Sequence, residues 1–280
     1  WFCAYYDVSP EGNWEGASIL NTPRPADAVA ADLGVPVDEL RRSLAASREL
    51  LYAARLRRVP PLTDDKVLVA WNGLMIGAMA EGARVLREPR YLASAERAAR
   101  FVLGELVRAD GGLYRTARAG KAHLDAYLED YAFLADGLVD LYEAGGAESF
   151  FREAVRLAER MIADFGDPND GAFFQTAHGH EALIARSREG HDGAIPNANA
   201  VAARVLARLG FHLGRDDLRE RALGAIRAYG RSIERAPRAF ATTLSVVDLL
   251  LEGPVELAFV GTAGSAELEG LAAEVARHFL

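Results

Sequence analysis

The sequence predicts an all-α fold in which pairs of helices repeat and close into an α/α toroid. Three observations predict it. A mostly apolar helix followed by a half-exposed amphipathic one recurs along the chain. The outer member of each pair opens at Tyr91, Phe150 and Leu218 in turn, 59 and 68 residues apart. A glycine turn follows the first two outer helices, as Asp110-Gly111-Gly112-Leu113-Tyr114-Arg115 and as Asp170-Gly171-Ala172-Phe173-Phe174-Gln175. Helix pairs at such a period build solenoids or closed toroids. Inner helices apolar on nearly every side favour the closed ring, with an open solenoid as the alternative.

Taken in order, Leu40, Leu44, Leu51 and Ala54 space an amphipathic helix over 37–58, ended by Pro60-Pro61. Residues 66–86 are apolar and small all round, the first inner helix. Glu88-Pro89-Arg90 breaks it, and 91–107 carries Leu92, Ala95, Ala99, Val102 and Leu106 along one face. The order recurs as 126–144 with 149–165, and as 199–213 with 217–235. A fourth apolar segment, 240–251, has no clear partner. Each glycine turn leads into a short β-prone run, expected as a small hairpin. Residues 1–8 and 255–260 are β-branched and aromatic enough to be read as strands. Gly261-Thr262-Ala263-Gly264 then reads as a plain turn into a helix from Ser265. The expected division is a toroid over 1–253 and a strand-loop-helix extension over 254–280.

Composition narrows the function. A chain of 280 residues, 50% hydrophobic and 26% charged, can bury a large core. Its net charge of −8 argues against non-specific nucleic-acid binding, which needs a basic face. Cys3 is the single cysteine, so no intrachain disulfide or Cys-x-x-Cys site exists, which fits a reducing compartment such as the cytoplasm. No apolar run approaches about 18 residues, so no membrane span is expected. The opening Trp1-Phe2-Cys3 reads as a piece of something longer. No metal, nucleotide or other cofactor motif is present, and none is expected.

In a toroid of helix pairs every inner helix enters at one rim, so polar residues at the helix starts converge. Asp64-Asp65-Lys66 opens the first, where Asp64 is a candidate cap; Trp71 and Asn72 follow, with Asp65 and Asn72 on one helical face. Asp125, Tyr127, Glu129, Asp130 and Tyr131 open the second. Acids beside aromatic rings suit a sugar, which offers hydroxyls at its edge and C–H groups on its face. Arg186, Arg188, Glu189, His191 and Asp192 lead to Asn197, an expected cap, and Asn199. Arg188 with Asp192, or Glu189 with His191, are possible structural pairs. His191 is the histidine best placed on this rim; His178, His180, His212 and His278 read as loop or outer positions.

Gly12-Asn13-Trp14-Glu15-Gly16, the run from Asp64 to Leu74 (DDKVLVAWNGL), Tyr127-Leu128-Glu129-Asp130-Tyr131-Ala132 and Asp192-Gly193-Ala194 resemble the thioredoxin-domain-containing family that includes spermatogenesis-associated protein 20 and its bacterial relatives. The resemblance runs in order across nearly the whole chain. It implies a six-hairpin α/α toroid similar to glycoside hydrolases and N-acylglucosamine 2-epimerases, and a thioredoxin-like domain elsewhere in the full-length protein as a partner. Relatives commonly read Pro-Ser-Gly-Asn-Ser where this chain has Pro196-Asn197-Ala198-Asn199-Ala200; Asn199 is kept in register, the serines and glycine are not.

Two functions follow as expectations. In the first, a carbohydrate-binding or carbohydrate-processing pocket, Asp65, Glu129, Asp130 and Asp192 supply acid/base groups, with His191 for an epimerase-like step. Trp71, Asn72, Tyr127, Tyr131, Arg188 and Asn199 then hold the small-molecule ligand. A glycosidase needs two carboxyls about 5–5.5 Å apart if retaining, about 6.5–9.5 Å if inverting. In the second, the chain is a non-catalytic scaffold serving the thioredoxin-like domain. The same acids would then be paired with Lys66, Arg115, Arg186 or Arg188 within the wall.

Overall fold

The computed structural model describes residues 1–181, 183–262 and 264–275. By its contacts the chain forms two compact units, Trp1–Asp64 and Asp65–Leu280. The first unit holds three helices: α1 (Phe2–Tyr5), α2 (Ala26–Leu33) and α3 (Val37–Arg55). Leu40 and Leu44 of α3 close a small core with Val29 and Ala30 of α2. The strand expected over 1–8 is corrected here to a helical turn. Phe2 and Tyr6 are four apart, and their rings meet at 4.6 Å while packing against that core. β-prone residues without a neighbouring strand take the conformation that buries them.

The second unit opens with β1 (Val67–Leu68), then α4 (Val69–Leu86), α5 (Pro89–Glu105), β2 (Tyr114–Arg118), β3 (Lys121–Asp125), α6 (Leu128–Glu143) and α7 (Glu148–Phe165). It continues with α8 (Ala198–Leu213), α9 (Asp216–Arg227), α10 (Gly230–Arg235), a 3-10 turn (Pro237–Phe240), α11 (Ala241–Glu252) and α12 (Ala266–Val275). The expected double layer is present. α4, α6, α8 and α11 pack side by side in that order, and α5, α7 and α9 each cover the inner helix preceding them. α6 is buried along nearly all its length, whereas on α7 the buried residues are confined to a stripe through Phe150, Ala154, Leu157, Ala158, Met161 and Phe165. That alternation is what the apolar and amphipathic patterns encode.

Close helix approach depends on small residues. A Cβ on Gly137 would lie 2.3 Å from the Gly73 carbonyl oxygen, so α4 and α6 touch backbone to backbone there. The two turns predicted from glycine also form, with Gly111 at φ +81° and Gly171 at φ +90°, which L side chains rarely adopt. Only the first leads into a true hairpin, β2 against β3; the second makes a single bridge, Gly166 to Phe173.

Four further expectations are corrected. The first inner helix starts at Val69, because Val67 and Leu68 pair with Ala117 and Thr116 as the edge of a three-stranded sheet. The cap position of that helix is Leu68 and not Asp64, and Asp65 lies off the helix that carries Asn72. Asp125 ends β3, so it does not share a helical face with Glu129. The third outer helix breaks after Arg227 and resumes at Gly230. Residues 255–260 are exposed and without regular structure, since no strand among the described residues pairs with them. The helix expected from Ser265 is present, with the Ser265 hydroxyl accepting from Leu268 N at 3.3 Å. Ala263 of the expected turn and His278 lie outside the described residues.

Candidate ligand site at the rim of the inner helices

Carboxylates tie the starts of the inner helices in two pairs, α4 with α6 and α8 with α11. Asp130 Oδ1 accepts from Ala70 N of α4 at 3.0 Å, and its Oδ2 accepts from Tyr127 N, the cap position of α6, at 2.9 Å. Asp192 repeats the device one pair on: Oδ1 accepts from Asn197 N, the cap of α8, at 2.9 Å, and Oδ2 from Thr242 N of α11 at 2.8 Å. Helix N-termini leave N–H groups unpaired and carry partial positive charge, so a shared carboxylate stabilises both ends it joins. Asn197 caps α8 through Asn199 N and Ala200 N, as expected. Asn199 is buried and joins Phe173 N at 2.7 Å, Phe173 O at 3.0 Å and Glu189 O at 3.1 Å.

Around the start of α6 the polar and aromatic groups gather. Arg115 of β2 meets Glu129 Oε1 at 2.9 Å and Asp130 Oδ2 at 3.4 Å, and its guanidinium lies 4.7 Å from the centre of the Tyr127 ring. The far edge of this group is His180, edge-on to Tyr127 at 5.4 Å. Glu129 is partly exposed, with Oε1 held by Arg115. Asp130 is 1% exposed, and burial pushes its carboxyl up to about 7 against the pull of two N–H donors and Arg115. Trp71, next to the Ala70 that Asp130 holds, is 63% exposed. Asn72 satisfies its amide locally by donating to Leu68 O at 2.8 Å.

The other sequence candidates are dispersed. Asp65 pairs with Arg118 at 2.5 Å, both exposed. Tyr131 turns into the wall: its hydroxyl accepts from Leu113 N at 2.9 Å and its ring packs on Phe165. Arg188 binds Asp167 at 2.8 Å and Asp170 at 2.7 Å, a correction to the pairing with Asp192, whose oxygens the helix ends already occupy. His191 is exposed, its ring 4.7 Å from Phe240. It is not alone on the rim loops. His178 meets Arg186 at 3.0 Å, and Arg186 lies 4.0 Å over Phe174.

One cluster escaped sequence reading altogether. Asp136, Asp140 and Glu143 of α6 face Arg204, Arg208 and His212 of α8 along the seam between the two helices. Burial raises Asp140 to about 6 despite Arg208. The signal was the near-matching three-to-four-residue spacing of the acids and the bases, which puts each set on one face. His212 thus belongs to an inner helix, not to an outer position. Among the described residues no group of His, Cys, Asp and Glu could hold a metal ion.

No family model matches the chain. Over 240 residues it is 33% identical to spermatogenesis-associated protein 20 of Homo sapiens, which covers 82% of this chain and 30% of that protein. An uncharacterized Caenorhabditis elegans protein is 29% identical over 238 residues, covering 82% and 32%. The chain thus spans about a third of the length of the curated relatives it matches. Among solved structures, a GH76 alpha-mannanase of Bacteroides thetaiotaomicron superposes with TM-score 0.53 at 12% identity, covering 79% of this chain and 58% of that one. Cellobiose 2-epimerase of Bacillus thermoamylovorans superposes with TM-score 0.50 at 16% identity, covering 59% and 44%. Those likenesses are of fold: the α/α toroid.

Proposed function

We propose, for a chain that is a homologue of spermatogenesis-associated protein 20 with the α/α-toroid fold, that the rim at the start of α6 binds a carbohydrate. The observation that carries this reading is Arg115, which holds Glu129 and Asp130 together while lying on the Tyr127 ring. Guanidinium and carboxylate edges offer fork-like donors and acceptors to neighbouring hydroxyls, and aromatic faces take the C–H side of a sugar. Exposed Trp71 follows Ala70, whose N–H Asp130 holds, and would offer a second apolar surface. Glu129 is the accessible acid/base group, and Asp130 positions Arg115. His191 and Asp65 would act only on a ligand long enough to reach them, and Asp192 serves the helix ends that occupy both its oxygens. The α/α-toroid fold, shared with a GH76 alpha-mannanase and a cellobiose 2-epimerase, supports the sugar reading. The charge balance agrees with a small-molecule ligand over nucleic acid, and among the described residues no helix is long and apolar enough to cross a membrane. We propose a cytoplasmic location, with which the single cysteine of this chain is consistent.

A thermal-shift and calorimetric screen against cellobiose, mannose and N-acetylglucosamine tests the reading. Saturable stabilisation that Trp71→Ala and Glu129→Gln each remove is the expected result. Indifference of the protein to every sugar would end the proposal.

A second reading has its own support. Glu129 and Asp130 are paired with Arg115, the arrangement expected of a scaffold, and Asp65, Asp130 and Asp192 are engaged with Arg118 or with helix N–H groups. In that reading the rim docks the thioredoxin-like domain of the full-length protein. Pull-down of that domain by this chain, lost in Trp71→Ala and unaffected by sugars, would favour it.

A further inference from the structure

His180, whose ring meets Tyr127, also lines a cleft of about 160 Å³ together with Asp125 and Ala126 of the β3–α6 junction. Its polar wall is an alternation of charges. Arg108 reaches Asp110 at 3.3 Å and pairs with Asp125, while Arg160 pairs with Asp164 and donates to the Asp110 carbonyl at 3.0 Å. Each side chain is thereby held in place before any ligand arrives. Tyr131, 4% exposed, adds a hydroxyl that accepts from Leu113 N and retains its own hydrogen as a donor. The rest of the lining is small or apolar, with Gly112, Leu113, Ala126, Ala177 and Gly179, and a Cβ on Gly179 would meet nothing within 4 Å.

Three properties set the ligand. The volume lies below the roughly 300–1,000 Å³ of pockets for drug-sized molecules, which leaves room for one small ring. Donors and acceptors alternate along the wall, the pattern that vicinal hydroxyls satisfy because each hydroxyl is both. Three carboxylates outnumber two guanidiniums, so an anionic ligand meets net repulsion. We propose that this cleft is a subsite for one uncharged monosaccharide unit, selected against its phosphorylated or uronic form. The choice of a sugar rests on the reading above; the size and charge of the cleft do not.

The test titrates the chain with glucose, mannose, N-acetylglucosamine, glucose 6-phosphate and glucuronate, following binding by ligand-observed NMR. Gly179→Leu adds a bulky side chain at a lining position whose Cβ has open space around it, and Asp125→Asn alters the wall at a half-exposed side chain. The expected result is saturable binding of at least one uncharged sugar, weakened tenfold or more by Gly179→Leu and by Asp125→Asn. The two anions should bind at least tenfold more weakly. Binding unaffected by both variants yet abolished by Glu129→Gln would overturn the cleft and leave the rim reading standing. Binding abolished by Gly179→Leu and untouched by Glu129→Gln would do the reverse. Tighter binding of the anions would overturn the charge argument, and no binding of any sugar would end both proposals.

Discussion

Asp130 carries a conflict that its position creates. Two backbone N–H groups and Arg115 favour the ionised form, while near-complete burial favours the neutral one, and burial prevails with a carboxyl near 7. A folded-state value above the ordinary 3.8 means that the folded chain binds more protons than the unfolded chain between about pH 4 and about pH 7. Stability from this group is therefore full below that window and declines as pH rises through it, by on the order of 4 kcal/mol at about 1.4 per unit. Asp140, raised to about 6, adds to the same slope, so the informative quantity is a difference. Chemical denaturation of the native chain and Asp130→Asn at several pH values should show a flatter decline in the variant; parallel curves would contradict the assignment. Asp192 makes a second residue-scale prediction. Asp192→Ala leaves Asn197 N and Thr242 N without their acceptor and should cost about 1–3 kcal/mol, measured by urea unfolding. These bonds could not be read from sequence. Asp192 and Thr242 are 50 residues apart, and nothing local in either distinguishes a carboxylate that joins helix ends from one that faces a ligand.

At the scale of elements, the inner helices owe their closeness to glycine. Gly137→Ala drives a methyl into the Gly73 carbonyl, so α4 and α6 must separate, at a cost of about 1–3 kcal/mol. Gly104→Ala in α5 meets nothing within 4 Å and should stabilise by about 0.4–1 kcal/mol through the unfolded chain. Melting temperatures moving in opposite directions would verify both; equal shifts would mean that the α4–α6 contact is looser than described. The alternation of inner and outer helices was legible because burial on all sides and burial on one stripe leave different patterns. Helix starts were less legible, by two or three residues at α4 and α6. There a sheet competes for the same chain: Val67 and Leu68 satisfy a helix pattern and a strand pattern equally, and the partner strand lies about 50 residues on. Residues 1–8 and 255–260 were misread for the converse reason, since strand propensity describes a fit to neighbours that these segments lack.

For the molecule as a whole, the toroid class was readable from repetition, and the rim followed from it, because inner helices of a toroid enter at one end. That argument names Trp71, Tyr127, Glu129 and Asp130 as candidates, and their role as a ligand site is the proposal made above. Arg115, which joins Tyr127, Glu129 and Asp130, has no local signature in the sequence beyond that of a counter-ion. Its place on β2 depends on a hairpin whose register with the start of α6 is tertiary. Sugar binding by this group is tested most directly by tryptophan fluorescence. In a chain with Trp1 and Trp14 replaced by phenylalanine, titration with the best sugar of the screen should change Trp71 emission saturably, and Glu129→Gln should weaken the effect at least tenfold. An emission spectrum that no sugar alters, or a titration identical in Glu129→Gln, would contradict it.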